Sequence, residues 1–262
     1  MAEFASYVIC TSPRSGSTLL CQLLAATGVS GNPASYFHKP FVADWASALG
    51  LSPAASAPEK DMLADIVQAA LAKGRRETGI FGLRLQRHSF DFFARKLAVL
   101  HPEPVTDLQR FEMTFGRTAF IHLTRLDKVE QAVSCAMANQ TGLWHRASDG
   151  TELERVSPPR PPVYDGREIR EHHDRFLSFD REWTRWFDAE GIEPLRITYE
   201  TLAADPVGTL RGLLAELGLN REAAAGVTPT VAKLADRTNH DWATRFRADL
   251  RSAAHEAERH PH

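Results

Sequence analysis

The chain is short of several things, and each shortage narrows what it is. Its 262 residues include three cysteines, Cys10, Cys21 and Cys135, with no CxxC pair among them. That argues against a disulfide framework or a zinc module and for a reducing compartment. No uninterrupted apolar run reaches the roughly 18 residues needed to cross a bilayer. Nor does the N-terminus carry a basic region followed by an apolar run and a cleavage site. No integral membrane segment is expected, and the cytoplasm is the expected location. Net charge is almost absent as well: 31 Lys and Arg face 33 Asp and Glu, giving −2. Without a global basic field no nucleic-acid partner is expected, and any polyanion has to be met by a local cluster. Lysine is scarce, six against 25 arginines. The arginine fork suits phosphate and carboxylate, but a skewed base composition of the gene gives the same ratio, so nothing is built on it.

What remains is ordinary globular material, 43% hydrophobic and 24% charged, which excludes disorder as the main state. Short apolar runs alternate with helical patterns. Tyr7–Cys10, Ile80–Leu85, Phe120–Thr124 and Leu195–Thr198 read as strands. Ser17–Thr27, Asp61–Leu71, Lys128–Asn139, Arg167–Glu190 and Val207–Leu217 carry apolar residues at helical spacing, and Gly28 sits where the first helix should stop. Strands alternating with helices predict an α/β fold with three layers, a short and mainly parallel sheet flanked by helices. One domain over residues 1–262 is expected. Within it, residues 32–58 form an insertion after the first helix without a clear element, Val156–Val163 a proline-rich loop, and the polar stretch from Thr238 onward a frayed end, with 252–262 its tail.

The chemistry concentrates at Thr11-Ser12-Pro13-Arg14-Ser15-Gly16-Ser17-Thr18, between the first strand and the first helix. A strand-turn-helix junction aims free amide N–H groups and the positive helix end at one spot, which suits an anion. Gly16 lets the backbone come close, Ser15, Ser17 and Thr18 add hydroxyls, and Arg14 adds a charged fork. Against the nucleoside-triphosphate loop GxxxxGK[ST], Ser17 stands where the lysine should be and the first glycine is missing. A small-molecule kinase using ATP is thereby disfavoured, and a serine-rich helix cap without a ligand is the plain alternative.

PRSGST after a hydrophobic strand resembles the 5′-phosphosulfate loop of sulfotransferases that use 3′-phosphoadenosine 5′-phosphosulfate (PAPS). Further segments agree with that family, and with its bacterial trehalose 2-sulfotransferase branch in particular. Ile121–Arg125 followed by a helix with Ser134 resembles its 3′-phosphate site. Tyr199-Glu200-Thr201-Leu202, then Asp205-Pro206, resembles a segment whose tyrosine lies by the adenine. Ala235–Thr238 with Asp241-Trp242, and Ala25–Pro33, resemble two more. The resemblance implies a P-loop-like fold and transfer of a sulfuryl group from PAPS to a hydroxyl of a carbohydrate or glycolipid, trehalose being one candidate. It implies that Pro13, Arg14, Ser15, Gly16, Ser17, Thr18, Arg125, Ser134, Tyr199 and Arg237 bind the nucleotide. Arg14 would also be catalytic, holding the bridging oxygen and the sulfuryl group. No metal is needed, and a homodimer is implied.

One position departs from the pattern. The relatives carry a glutamate taken as the general base where this chain has Ser35, and serine is no base near neutral pH. His38, in the same segment, is the catalytic candidate, because an imidazole ordinarily titrates near pH 6.5; a surface histidine is the alternative. Ser35, Tyr36, Phe37 and Arg84 are candidates for contacting the acceptor, with a solvated surface charge the plainer reading of Arg84. Phe37, Phe41 and Trp45 could wall a sugar or equally pack the insertion onto the sheet. A binding module that kept the nucleotide pocket and lost its base is the reading that Ser35 favours. His122 reads as a packed core or rim residue. His172 and His173 project about 100° apart on a helix and cannot share a metal.

Overall fold

Tyr7, Val8, Ile9 and Cys10 are all fully buried, so the first strand is covered on both faces, as a central strand of a parallel sheet must be. The computed structural model describes residues 3–52, 57–103, 106–146, 150–228 and 237–259, the last seven of these by backbone alone. In chain order the elements are β1 (Ser6–Thr11), α1 (Ser17–Ala26), α2 (Val42–Ala48), α3 (Glu59–Arg75), β2 (Phe81–Gln86), α4 (Arg87–Leu100), α5 (Asp107–Phe115) and β3 (Thr118–Thr124). Then come α6 (Lys128–Thr141), β4 (Leu143–Arg146), β5 (Glu152–Arg155), α7 (Gly166–Glu190), β6 (Leu195–Thr198), α8 (Tyr199–Ala204), α9 (Pro206–Glu216), a short 3-10 turn and α10 (Arg237–Arg259). The chain divides into two units, Met1–Thr124 with Phe179–Pro229, and Arg125–Ser178 with Thr230–His262.

The first unit holds the sheet, in the order β2-β1-β3-β6, with every neighbour parallel. Strand alternation splits the core in two. Val8, Cys10, Phe81, Leu83, Leu85 and Phe120 face Trp45 of α2, Ile66 of α3, Phe93 of α4, Phe111 of α5 and Trp183 of α7. Tyr7, Ile9, Ile121 and Leu123 face Leu20 and Leu24 of α1, Leu202 of α8 and Leu210 and Leu214 of α9. The chain leaves β1 for β2 on one side and returns to β3 on the other, so the carboxyl end of β1 is a switch point, where ligands of open α/β sheets bind.

The second unit packs α6, the first part of α7 and α10 through Ala132, Val133, Ala136, Ile169, Trp242, Ala243 and Phe246. The β4–β5 hairpin belongs to it. Asp127 caps α6 by accepting from the Glu130 amide at 2.9 Å, and its other oxygen accepts from Arg247 of α10 at 2.6 Å.

Strands and helices read from the sequence stand within a few residues of their expected bounds. Two readings change. The insertion after α1 contains α2, whose Trp45 is buried, and the stretch read as frayed is α10, fixed by Trp242, Ala243 and Phe246 along one face. Three apolar residues in a polar helix are enough when they recur every three to four positions. Residues 260–262 lie outside the described ones.

Candidate active site

Between β1 and α1 the chain makes a tight loop held by its own hydroxyls. Thr11 Oγ1 donates to the Leu123 carbonyl of β3 at 2.9 Å and lies 2.5 Å from Ser15 Oγ, which donates to the Ser12 carbonyl at 2.8 Å. Ser12 and Ser15 are buried, so the hydroxyl of Ser15 shapes the loop from inside. Arg14 (φ 63°) and Gly16 (φ 85°) are both left-handed, with Ser15 between them. Alternation of this kind turns successive N–H groups toward one concavity, an anion nest. Among the described residues no side chain caps α1, whose first-turn amides continue the same array. Gly16 is required twice over: a Cβ there would also stand 2.6 Å from the Tyr199 ring. That ring opens α8, capped by Thr198, which accepts from the Thr201 amide at 3.1 Å.

A second group stands beside the loop. Asn32 N–H donates to the Gly74 carbonyl at 2.6 Å, Ala34 bridges to Leu83, and Arg84 N–H donates to the Ala34 carbonyl at 3.0 Å. This sets the turn after α1 along the edge strand β2. A Cβ on Gly31 would meet the Gly74 and Ile80 carbonyls at 2.5 and 2.6 Å, so the approach demands glycine. Arg84 then donates through Nε to Ser35 Oγ at 2.7 Å and through Nη1 to Thr18 Oγ1 at 2.9 Å. One guanidinium joins the loop to the turn, and both its partners are neutral hydroxyls. Exposed His38 places Nδ1 2.7 Å from the Ser35 carbonyl. A carbonyl only accepts, so Nδ1 carries the proton and Nε2 of the neutral ring keeps its lone pair.

Phe37 and Trp45 take the packing alternative, and Tyr36 is buried beside them. Phe37 is 1% exposed and stacks on Phe93 at 4.7 Å, with Trp45 edge-on at 5.3 Å. Tyr36 Oη donates to the Asn32 carbonyl at 2.6 Å, and burial pushes its phenol up to about 12. Phe41, at 66% exposure, is the aromatic of this turn that remains accessible.

In the second unit, buried Arg125 leads into α6, its Nη2 3.8 Å from Glu130 and its carbonyl accepting from Lys128 Nζ at 2.5 Å. Ser134 is half-buried on α6. Arg237, at the start of α10, is exposed and 3.9 Å from Asp241; Ala235 and Asp236 lie outside the described residues.

His122 is buried, its Nδ1 accepting from Arg196 at 3.2 Å and its ring against Phe187. All three cysteines are buried, and burial pushes the Cys10 and Cys21 thiols up, so neither is a thiolate nucleophile. Sequence reasoning passed over Gln86. It ends β2 in register with Thr11, and its Oε1 is buried with no hydrogen-bond partner among the described residues. Only the register of β2 reveals it.

A parallel sheet whose switch point carries a nest-and-helix loop defines a P-loop-like α/β protein built to seat an oxyanion. The chain belongs to the Stf0 sulphotransferase family, whose model matches residues 6–249, and it is a sulfotransferase. It is similar to the trehalose 2-sulfotransferase of Mycobacterium tuberculosis, 25% identical over 93% of this chain and 94% of that one. It is equally similar to the trehalose 2-sulfotransferase of Mycolicibacterium smegmatis, 26% identical over 93% and 95%. Among solved structures, the sulfotransferase domain of the Synechococcus PCC 7002 olefin synthase is 19% identical, covering 92% of this chain and 86% of that one with a TM-score of 0.44.

Proposed function

We propose that the protein transfers a sulfuryl group from PAPS to a hydroxyl of a carbohydrate or glycolipid acceptor, with adenosine 3′,5′-bisphosphate as the second product. The observation that carries this reading is the loop from Pro13 to Thr18, whose left-handed Arg14 and Gly16 form a nest without a triphosphate-binding lysine. A small oxyanion fits that concavity, and the Tyr199 ring against Gly16 offers a flat surface for a base beside it.

PAPS, when bound, supplies an activated sulfuryl group on a good leaving group. Arg14 and the loop amides bind the sulfur-bearing end and stabilise the negative charge that grows there. Ser17 and Thr18 belong to the same loop, and Tyr199 flanks the adenine. Arg125 and Ser134 on the second unit, with Arg237, are assigned to the 3′-phosphate on the resemblance, through charge-assisted bonds. His38 is the general base. Its Nδ1 proton is held by the Ser35 carbonyl, which fixes the ring and leaves Nε2 to take the acceptor's proton. Ser35 and Arg84 line the acceptor side. A sugar acceptor is favoured by the two relatives, both named as trehalose sulfotransferases. One sulfotransferase domain, a cytoplasmic location and a homodimer belong to the same reading. The family match over 6–249 and three unbridged cysteines support the first two.

Incubation with sulfur-labelled PAPS and a panel of sugars that includes trehalose tests the assignment. A labelled sugar is expected, and nucleotide that stays bound with no sulfated product would overturn it. His38→Ala is expected to lower turnover about 10²-fold or more while adenosine 3′,5′-bisphosphate binding holds. Unchanged turnover removes His38 from the mechanism.

A further inference from the structure

Residues 84 and 86 lie on the same face of β2, because Leu83 and Leu85 between them point into the core beneath α3 and α4. That face is the one on which Arg84 reaches Thr18 and Ser35, and on which Thr11, in register with Gln86, anchors the anion loop. Two polar side chains about 6.6 Å apart along the strand therefore sit at the carboxyl end of the sheet, beside the loop.

Their hydrogen-bonding capacity is complementary. Arg84 has five N–H donors, and its bonds to Ser35 and Thr18 engage two of them. Gln86 Oε1 is an acceptor, buried and without a partner among the described residues. Native proteins seldom bury such a group without a use for it. A sulfate or a fully ionised phosphate cannot supply that use, since neither has a proton to donate. The oxygen of Gln86 must meet an O–H or N–H.

We propose that Gln86 and Arg84 form a hydroxyl-reading pair in the acceptor site, the carboxamide oxygen accepting from one sugar hydroxyl and the guanidinium donating to the next. A polyol presents both functions on neighbouring carbons, which a nucleotide phosphate does not. The proposal rests on the sulfotransfer reading above and names Gln86 as its acceptor-specificity residue.

Gln86→Met keeps the length of the side chain and removes the orphaned oxygen. Without any ligand, the variant is expected to melt about 2–4 °C above the wild type, because no buried acceptor remains unsatisfied. Its Kd for adenosine 3′,5′-bisphosphate is expected to stay within about twofold. With the sugar sulfated fastest by the wild type, KM is expected to rise about tenfold or more with kcat little changed, the split that marks lost acceptor binding. A melting point at or below that of the wild type overturns the proposal. So does weakened nucleotide binding, which would give the oxygen to the donor, and so does an unchanged KM. The melt and the nucleotide titration need no acceptor. If no sugar is sulfated, the sulfotransfer reading falls, and the melt still decides on Gln86.

Discussion

Arg14 carries the sharpest tension in the molecule. It supplies the cation of the loop while holding φ at 63°, a conformation that costs a non-glycine residue on the order of 1 kcal/mol or more. Two substitutions separate these roles. Arg14→Ala and Arg14→Gly both remove the guanidinium, and each is expected to lower turnover by about 10²–10³-fold. Only glycine relaxes the backbone, so Arg14→Gly should be more stable than Arg14→Ala by about 1 kcal/mol in denaturant melts. Equal stabilities would show that the left-handed turn is not maintained in solution. The charge of Arg14 and the need for glycine at residue 16 were legible in the sequence, because both follow from the letters of one loop. The reason for Gly16 was not, since Tyr199 lies far along the chain. Phe37 was equally ambiguous: a run of aromatics does not say which face it turns, and the stack on Phe93 decides it.

At the scale of elements, α4 was passed over and α10 was read as frayed. β1, β2, β3 and β6 announce themselves as short apolar runs, and α1, α3, α6, α7 and α9 through apolar residues at helical spacing. α5 did not, although Thr106 and Gln109 form a capping box at its start, a signal that could have found it. β4 and β5 have four residues each, and β5 is largely exposed, so no alternation marks them. The Asp205-Pro206 pair of the family segment has a local cause as well. Asp205 caps α9 by accepting from the Gly208 amide at 2.8 Å, and proline fills the first helical position. In the second unit, α6 and α7 are joined at His172, whose Nε2 accepts from Asn139 at 3.0 Å. Burial lowers its pKa; Glu168 opposes the shift and Arg175 adds to it. The unfolded chain binds the proton first, so this contribution is full above about pH 6.5 and is lost as pH falls through the lower folded value. His172→Gln is expected to flatten the acid limb of the melting profile relative to the wild type. An unchanged acid limb would place the histidine in an exposed, freely titrating site.

For the molecule as a whole, nucleotide and stability are linked. A ligand that binds only the folded chain adds RT ln(1 + [L]/Kd), about 2.7 kcal/mol at 100 Kd. Adenosine 3′,5′-bisphosphate is therefore expected to raise the melting temperature by roughly 5–10 °C at that excess. Mg-ATP should leave it nearly unmoved, since the loop has serine in place of the phosphate-reaching lysine. The reverse order would identify a kinase. The layered α/β class was visible in the alternation of segments, but the division into two units was not, because α7 contributes to both and no composition change marks the boundary.

The nest hangs from β1, while Arg84 and Gln86 hang from the neighbouring strand β2, and the Arg84 guanidinium reaches from the one to the other. A duplicated gene can thus drift toward a new alcohol by altering the rim strand and its adjoining turn, with the machinery for its activated sulfate inherited intact.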